Sequence, residues 1–202
     1  MKKIVIAAVA AMMAAMSVNA QGNELKNEVS VSYGTGVSQI GDGIGNSLGA
    51  GLFDSMSGYK WTNKSRVGTI AAEYFRHMDN PRLAVGGVVT FASFGEDVVR
   101  KNDDVKVGNR TRTYISLMPA VKYYWVNKSH FGFYSKAAVG AMMMFYKDKD
   151  TAAGKSSTSS KLYLMGQASP IGLEAGSNNV RAFLELGVGE QGIALVGLRT
   201  KF

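Results

Sequence analysis

Apolar and polar side chains alternate along Thr111 to Val126, and this alternation restricts the fold more than any other feature of the sequence. One set of alternate positions is mainly apolar and consists of Thr113, Ile115, Leu117, Pro119, Val121, Tyr123 and Trp125. The other set consists of Arg112, Tyr114, Ser116, Met118, Ala120, Lys122 and Tyr124. Because successive side chains of a strand point to opposite faces, the pattern predicts a long β-strand with one apolar face.

The same period of two recurs in further segments that are separated by turn residues. We predict eight β-strands, over residues 28–33, 67–77, 83–94, 111–126, 131–146, 160–175, 181–188 and 193–202. The apolar positions change parity at Ser169-Pro170, which predicts a β-bulge there, and Pro119 predicts a local kink. An even number of such strands is typical of transmembrane β-barrels in bacteria.

The connections between these strands differ in length. The segments 34–66, 95–110 and 147–159 are long, and the others are short turns. Within the first long connection, apolar residues recur every four positions, which predicts a short amphipathic helix: Ile40, Ile44, Leu48, Leu52 and Met56. Transmembrane barrels have short periplasmic turns and longer extracellular loops, so we expect both chain termini in the periplasm.

The N-terminal residues have the three parts of a secretory signal peptide. Lys2 and Lys3 precede an apolar run from Ile4 to Met16, and Val18-Asn19-Ala20 forms a small-x-small cleavage site. A membrane anchor is the alternative, but the apolar run is shorter than the roughly 20 residues that a spanning helix needs. We therefore expect residues 1–20 to be the signal peptide and residues 21–202 to be the barrel domain.

Composition agrees with an exported barrel. Although 46% of the residues are hydrophobic, the mean hydropathy is −0.02, so the apolar residues are dispersed among polar ones. The formal charge of +8 favours anionic lipid headgroups as partners, and nucleic acid is not expected for an exported chain. A soluble barrel would turn its apolar face inward. Against this alternative, four aromatic residues flank one short turn on the apolar face, as in an interfacial girdle: Tyr123, Trp125, Phe131 and Phe133.

The last strand carries the most specific motif. Gly197 followed by the terminal Phe202 resembles the C-terminal assembly signal of Gram-negative outer-membrane barrels. With the signal peptide and the predicted strand count, the mature chain resembles the small eight-stranded outer-membrane β-barrel family, which includes the OmpA and OmpX transmembrane domains. The resemblance implies an all-β, antiparallel up-and-down transmembrane barrel in the bacterial outer membrane. It also implies insertion by the barrel-assembly machinery and a monomeric state.

Ionisable residues of both signs fall on the faces that are predicted to point inward. Eight strands enclose an interior that side chains can fill, and buried charges must be paired or hydrated. We therefore predict a lumen charge network of Glu73, Arg112, Lys122, Lys136, Glu174, Glu185, Arg199 and Lys201. Lys161 is also predicted to point inward.

Two functions are compatible with this sequence. The first is a structural or surface-interaction barrel whose basic extracellular loops contact lipopolysaccharide phosphates, through Arg66, Arg100 and Arg110. The second is a small porin-like channel that passes ions.

Enzymatic activity is not expected. The known eight-stranded lipid A acyltransferases and deacylases need a histidine near the outer leaflet, whereas His77 and His130 lie at predicted periplasmic turns. Neither has a serine and a carboxylate at a recognisable spacing. The sequence has no cysteine and no histidine cluster, so neither a metal nor another cofactor is expected.

Overall fold

The structure is a computed structural model that describes residues 25–34, 59–100, 106–150 and 155–202. The eight strands are β1 (Asn27–Gly34), β2 (Tyr59–His77), β3 (Leu83–Arg100), β4 (Lys106–Asn127), β5 (Phe131–Asp150), β6 (Lys155–Gly176), β7 (Val180–Gly189) and β8 (Ala194–Lys201). Each strand pairs antiparallel with its neighbours in the sequence, and β8 pairs with β1 to close the barrel. This confirms the predicted all-β, up-and-down topology. In the described ranges no helix is long and apolar enough to cross a membrane.

The C-terminal residue completes the closure of the barrel. The backbone N–H of Phe202 donates a 2.8 Å hydrogen bond to the carbonyl oxygen of Asn27, and the N–H of Asn27 donates a 2.8 Å bond back to Phe202. Closure satisfies the backbone groups that an open sheet edge would expose, which is a requirement for β-structure within lipid.

The two faces of the barrel wall have opposite chemistry. Trp125, Leu117 and Leu198 on the outside are 57%, 64% and 55% exposed. Lys122 and Arg199 on the inside have 0% exposure. An apolar exterior around a polar interior is the arrangement of a transmembrane β-barrel and the reverse of a soluble one, so the predicted orientation of the faces is confirmed.

Five strands are longer than the sequence pattern predicted. β2 to β6 contain 18 to 22 residues, whereas a strand crosses a membrane in about 9–11 residues. Much of the predicted long connections is therefore ordered strand, as at 59–66, 95–100 and 106–110. The ladder continues past the lipid, where neither face needs to be apolar and the alternation disappears.

Local irregularities agree in part with the prediction. The register shifts between Ala168 and Ile171 in the β6–β7 pairing, which confirms the bulge at Ser169-Pro170. At Pro119 the register with β3 continues without a shift, since Pro119 lies opposite Gly87. The predicted amphipathic helix at Ile40 to Met56 lies outside the described residues.

Candidate functional site

The most distinctive feature of the described barrel is its charged lumen. Five acidic and five basic side chains are buried there: Glu28, Glu73, Glu174, Glu185, Glu190, Lys122, Lys136, Arg181, Arg199 and Lys201. Their formal charges balance. Burial of ions is tolerated only with close pairing and additional hydrogen bonds, so the geometry of each carboxylate determines what the lumen can do.

Arg199, on β8, occupies the centre of this network. Its Nη1 donates to Oε2 of Glu174, and its Nη2 donates a 3.1 Å hydrogen bond to the hydroxyl of Tyr134. Nε lies 3.5 Å from Oε1 of Glu28. The guanidinium carbon is 4.8 Å from the Tyr134 ring centroid and 4.5 Å from that of Phe183. The planar guanidinium thus combines ion pairing with stacking on aromatic rings.

Glu174, on β6, is surrounded by three cations. Arg181 and Arg199 both donate to its carboxylate, and Nζ of Lys201 donates to Oε1 at 2.6 Å. Arg181 also donates from Nη2 to the carbonyl oxygens of Lys128 and Ser129, both at 3.0 Å. The β4–β5 turn is thereby joined to the charge network.

A second group of contacts is centred on Lys136, on β5. Its Nζ lies 2.6 Å from Oε1 of Glu73 and 2.6 Å from Oε2 of Glu185. The hydroxyl of Tyr134 donates to the other oxygen of Glu185 at 2.8 Å. Lys122 approaches the other carboxylate oxygen of Glu73. Its Nζ lies 3.6 Å from this atom, Oε2, and 3.8 Å from the Phe75 ring centroid.

Glycines on the inner face make room for these large side chains. A Cβ atom added at Gly172 would lie 2.5 Å from Cε2 of Tyr134, and one added at Gly132 would lie 2.8 Å from Oε1 of Glu174. Real Cβ atoms do not approach other atoms so closely, and interiors are close-packed. The lumen is therefore tightly packed around Tyr134 and Glu174.

The β7–β8 turn folds into the lumen and covers the network from one end. Gln191 has 0% exposure, and its Nε2 donates a 2.7 Å hydrogen bond to Oε1 of Glu73. Oε1 of Gln167 accepts from the Gln191 backbone N–H at 2.9 Å, and Nε2 of Gln167 donates to the Gly192 carbonyl at 3.1 Å. Gly189 and Gly192 have φ of 142° and 124°, values that favour glycine.

The structure brings together seven of the eight residues predicted for the network: Glu73, Lys122, Lys136, Glu174, Glu185, Arg199 and Lys201. The eighth, Arg112, lies nearer the other end of β4, where its guanidinium carbon is 5.7 Å from the Tyr146 ring centroid. Lys161 is exposed, because β6 extends there beyond the last residue that pairs with β7, Gln167.

The predicted network omitted Glu28 and Arg181. Lys122 donates to Glu28, and the Tyr124 hydroxyl donates to its Oε2 at 2.9 Å. Glu28 alternates with outward Val29, and Arg181 has the same parity as inward Phe183 and Glu185. Strand parity alone would have identified both.

His77 lies at the predicted turn, as the last residue of β2, but its side chain points to the lumen. Its ring is 5.3 Å from that of Tyr124, and Nε2 lies 3.1 Å from Oε2 of Glu28. The side chain is only 9% exposed, because the last residue of β2 has the inward parity and covers the end of the lumen. His130 is exposed in the β4–β5 turn.

The predicted girdle residues lie on the outer face near that turn. Trp125 and Phe131 are 57% and 44% exposed, and Tyr123 and Phe133 are partly exposed. The Tyr123 and Trp125 rings meet edge to face with centroids 4.8 Å apart. Nε1 of Trp125 donates a 2.9 Å hydrogen bond to Ser135 Oγ.

The arginines suggested for lipopolysaccharide contact all fall in strands, whereas the sequence pattern placed them in loops. Arg66 belongs to β2 and Arg100 is the last residue of β3; the side chains of both are outside the described part. Arg110 belongs to β4, and its guanidinium carbon is 5.1 Å from the Tyr146 ring centroid.

Fold and lumen together define a small eight-stranded transmembrane β-barrel of the outer-membrane type. Two crystal structures of Ail, the attachment invasion locus protein of Yersinia pestis, have a similar fold. Each is 15% identical in sequence and covers 88% of this chain. The structure of Ail alone has a TM-score of 0.49 and is covered over 98% of its chain. The structure of Ail with the heparin analogue sucrose octasulfate has a TM-score of 0.46 and is covered over 99% of its chain. No family model and no curated protein sequence matches the chain.

Proposed function

We propose that this chain is exported to the bacterial outer membrane and acts there as a non-conducting structural or surface-interaction barrel. In this proposal the signal peptide is removed after about Ala20. The barrel-assembly machinery inserts the mature chain as a monomer. The β2–β3, β4–β5 and β6–β7 turns and both termini face the periplasm, and the β7–β8 turn and the extended ends of β2 to β6 face the exterior.

The observation that carries this proposal is the lumen of paired charges, which the β7–β8 turn covers at one end. Acidic and basic side chains are buried there as closely paired ions, and the β7–β8 turn covers them through the bond from Gln191 to Glu73. Eight strands enclose only enough space for side chains. An ion that entered would have to displace paired charges, so the arrangement favours a closed barrel over a channel.

Planar-bilayer recording tests the closed state. Refolded protein should give no steady single-channel steps, and heat-unfolded protein is the control for detergent artefacts. Steady steps that require the folded barrel would instead support the alternative function, a small porin-like channel that passes ions.

Gel migration tests the location. Membrane fractions from cells that express the full chain should contain a heat-modifiable band, which migrates faster unheated because the closed barrel stays compact in detergent. A band that is found only in soluble fractions, or that is insensitive to heating, would contradict the proposed location.

We further propose that Arg66, Arg100 and Arg110 contact lipopolysaccharide phosphates, since guanidinium groups pair with phosphate in bidentate geometry. Support comes from their strands, which extend to the end of the barrel opposite the β2–β3, β4–β5 and β6–β7 turns. Glutamine at all three positions should lower the lipopolysaccharide that co-purifies. Glutamine at Arg76, Arg82 and Lys128, near the short turns, is the matched control and should not; equal losses in both variants would refute the assignment.

A further inference from the structure

The outer surface at the short-turn end combines aromatic and basic side chains. Trp125 and Tyr123 lie on the apolar face of β4, at its C-terminal end. Arg82 and Lys128 are exposed beside this end of β4, and Arg76 is exposed on β2, two strands away along the sheet. We call these three residues the short-turn basic patch.

The patch is assembled by contacts between two neighbouring turns. The backbone N–H of Tyr124 donates a 2.7 Å hydrogen bond to the carbonyl of Arg82. Nδ2 of Asn127 donates to the carbonyl of Pro81 at 3.2 Å. These bonds hold Arg82 of the β2–β3 turn beside the strand that carries Trp125, and Lys128 follows directly after that strand.

The side chains of the patch have no ion-pair partner among the described residues. The backbone of Lys128 is fixed, because its carbonyl accepts a hydrogen bond from Arg181 and its N–H donates to Phe131 at 2.9 Å. Asp79 is the acidic residue of the two turns, so the patch has an excess of positive charge.

We propose that the short-turn basic patch binds the phosphate of an anionic phospholipid whose acyl chain lies against Trp125. Amphipathic aromatic rings are favoured at the level of lipid headgroups, and the apolar wall beside them is covered by acyl chains. A basic side chain at that level then meets headgroups and favours anionic over zwitterionic ones. The inference depends on the proposed membrane location, and it specifies a lipid class on the leaflet opposite the lipopolysaccharide.

Quenching of Trp125 fluorescence by brominated lipid measures which lipid occupies this position. The chain has 2 tryptophans, so Trp61→Phe provides the background. Refolded protein is compared in vesicles of brominated phosphatidylglycerol, brominated phosphatidylcholine and their mixtures with unbrominated lipid. At low salt the relative binding constant should favour phosphatidylglycerol about fivefold, and the preference should fall as salt screens the charges.

A charge-matched pair of variants locates the effect. Arg82→Gln with Lys128→Gln removes the two basic residues next to the β4 end and should bring the preference to about one. Lys147→Gln with Lys161→Gln removes two exposed charges from the other end of the barrel and should leave the preference intact.

A relative binding constant of about one for phosphatidylglycerol over phosphatidylcholine in the unmutated barrel would overturn the lipid assignment, as would a preference that survives in the Arg82 and Lys128 variant or disappears in both variants. If the Arg82 and Lys128 variant does not fold, the salt dependence of the unmutated barrel tests the assignment instead. A lipid preference that does not change with salt would also overturn it. Absence of quenching by either lipid would mean that Trp125 does not face a bilayer, which is failure of the proposed membrane location.

Discussion

The side-chain amide of Gln191, in the β7–β8 turn, donates a 2.7 Å hydrogen bond to the carboxylate of Glu73 on β2. These residues are 118 positions apart in the sequence, and both side chains are fully buried or nearly so. The same Glu73 oxygen also accepts a 2.6 Å hydrogen bond from the Lys136 ammonium group. The turn is therefore a part of the charge network and closes it.

Gln191→Ala should destabilise the barrel by about 1–2 kcal/mol, because it removes one hydrogen bond to a buried carboxylate that keeps its lysine partner. Gln191→Glu should cost more, since it places a second carboxylate beside Glu73. Reversible urea unfolding in lipid vesicles, followed by tryptophan fluorescence, measures both. Equal stability of the three proteins would show that the bond from Gln191 to Glu73 does not stabilise the barrel.

Glu174→Gln should be the most destabilising conservative change in the network. It leaves Arg181, Arg199 and Lys201 buried with one negative charge fewer, and breaking a buried ion pair in this way costs about 3–5 kcal/mol. The measurement is the free energy of unfolding in lipid vesicles.

A second substitution tests whether charge balance is the cause. Adding Lys201→Gln to Glu174→Gln restores the balance of charges, so the double variant should be more stable than Glu174→Gln alone. Additive losses would instead indicate that the two residues contribute through packing and not through their ion pair.

Gly197→Ala tests whether Gly197, in the predicted assembly signal, is needed for packing within the barrel or for recognition by the barrel-assembly machinery. A Cβ atom at this position would contact the backbone carbonyl oxygen of Val31 in β1 and would lie 2.6 Å from Cζ of Phe183 in β7, so the variant should fold poorly in lipid vesicles without any assembly machinery. A substitution at Phe183 relieves the second contact but not the first. Adding Phe183→Leu should restore part of the folded fraction on heat-modifiable gels. Normal folding of Gly197→Ala in vitro, with a defect only in cells, would favour recognition by the machinery.

Strand topology was predictable from the sequence because the membrane imposes it. Lipid requires one apolar face over the whole membrane span. The apolar residues of β4 therefore recur at alternate positions, as at Leu117, Val121 and Trp125, and this alternation predicts which side chains point outward. The same reasoning assigned Lys122 and Arg199 to the interior, and both are buried.

The alternation of apolar residues did not predict the full length of the strands or the inward fold of the β7–β8 turn. Beyond the lipid, β3 and β4 remain paired without an apolar face, as at Asp97 and Asn109, so the pattern ended before the strands did. The inward fold of the β7–β8 turn depends on Gln167 and Gln191, whose hydrogen bonds join residues that the sequence keeps apart. No period in the sequence encodes such contacts.

Arginine scanning along the outer face should locate the membrane span independently of the strand ends. Val139, in the middle of β5, is 57% exposed on the apolar face, and Val139→Arg should cost about 2–4 kcal/mol if it lies near the bilayer midplane. Thr158 on β6 is also exposed but lies opposite Lys147, where the strands extend past the apolar positions. Thr158→Arg should therefore change the free energy of unfolding in vesicles very little. A comparable cost at both positions would mean that the lipid covers the extended strands as well, and that the barrel sits in the bilayer differently from the placement argued from its apolar band.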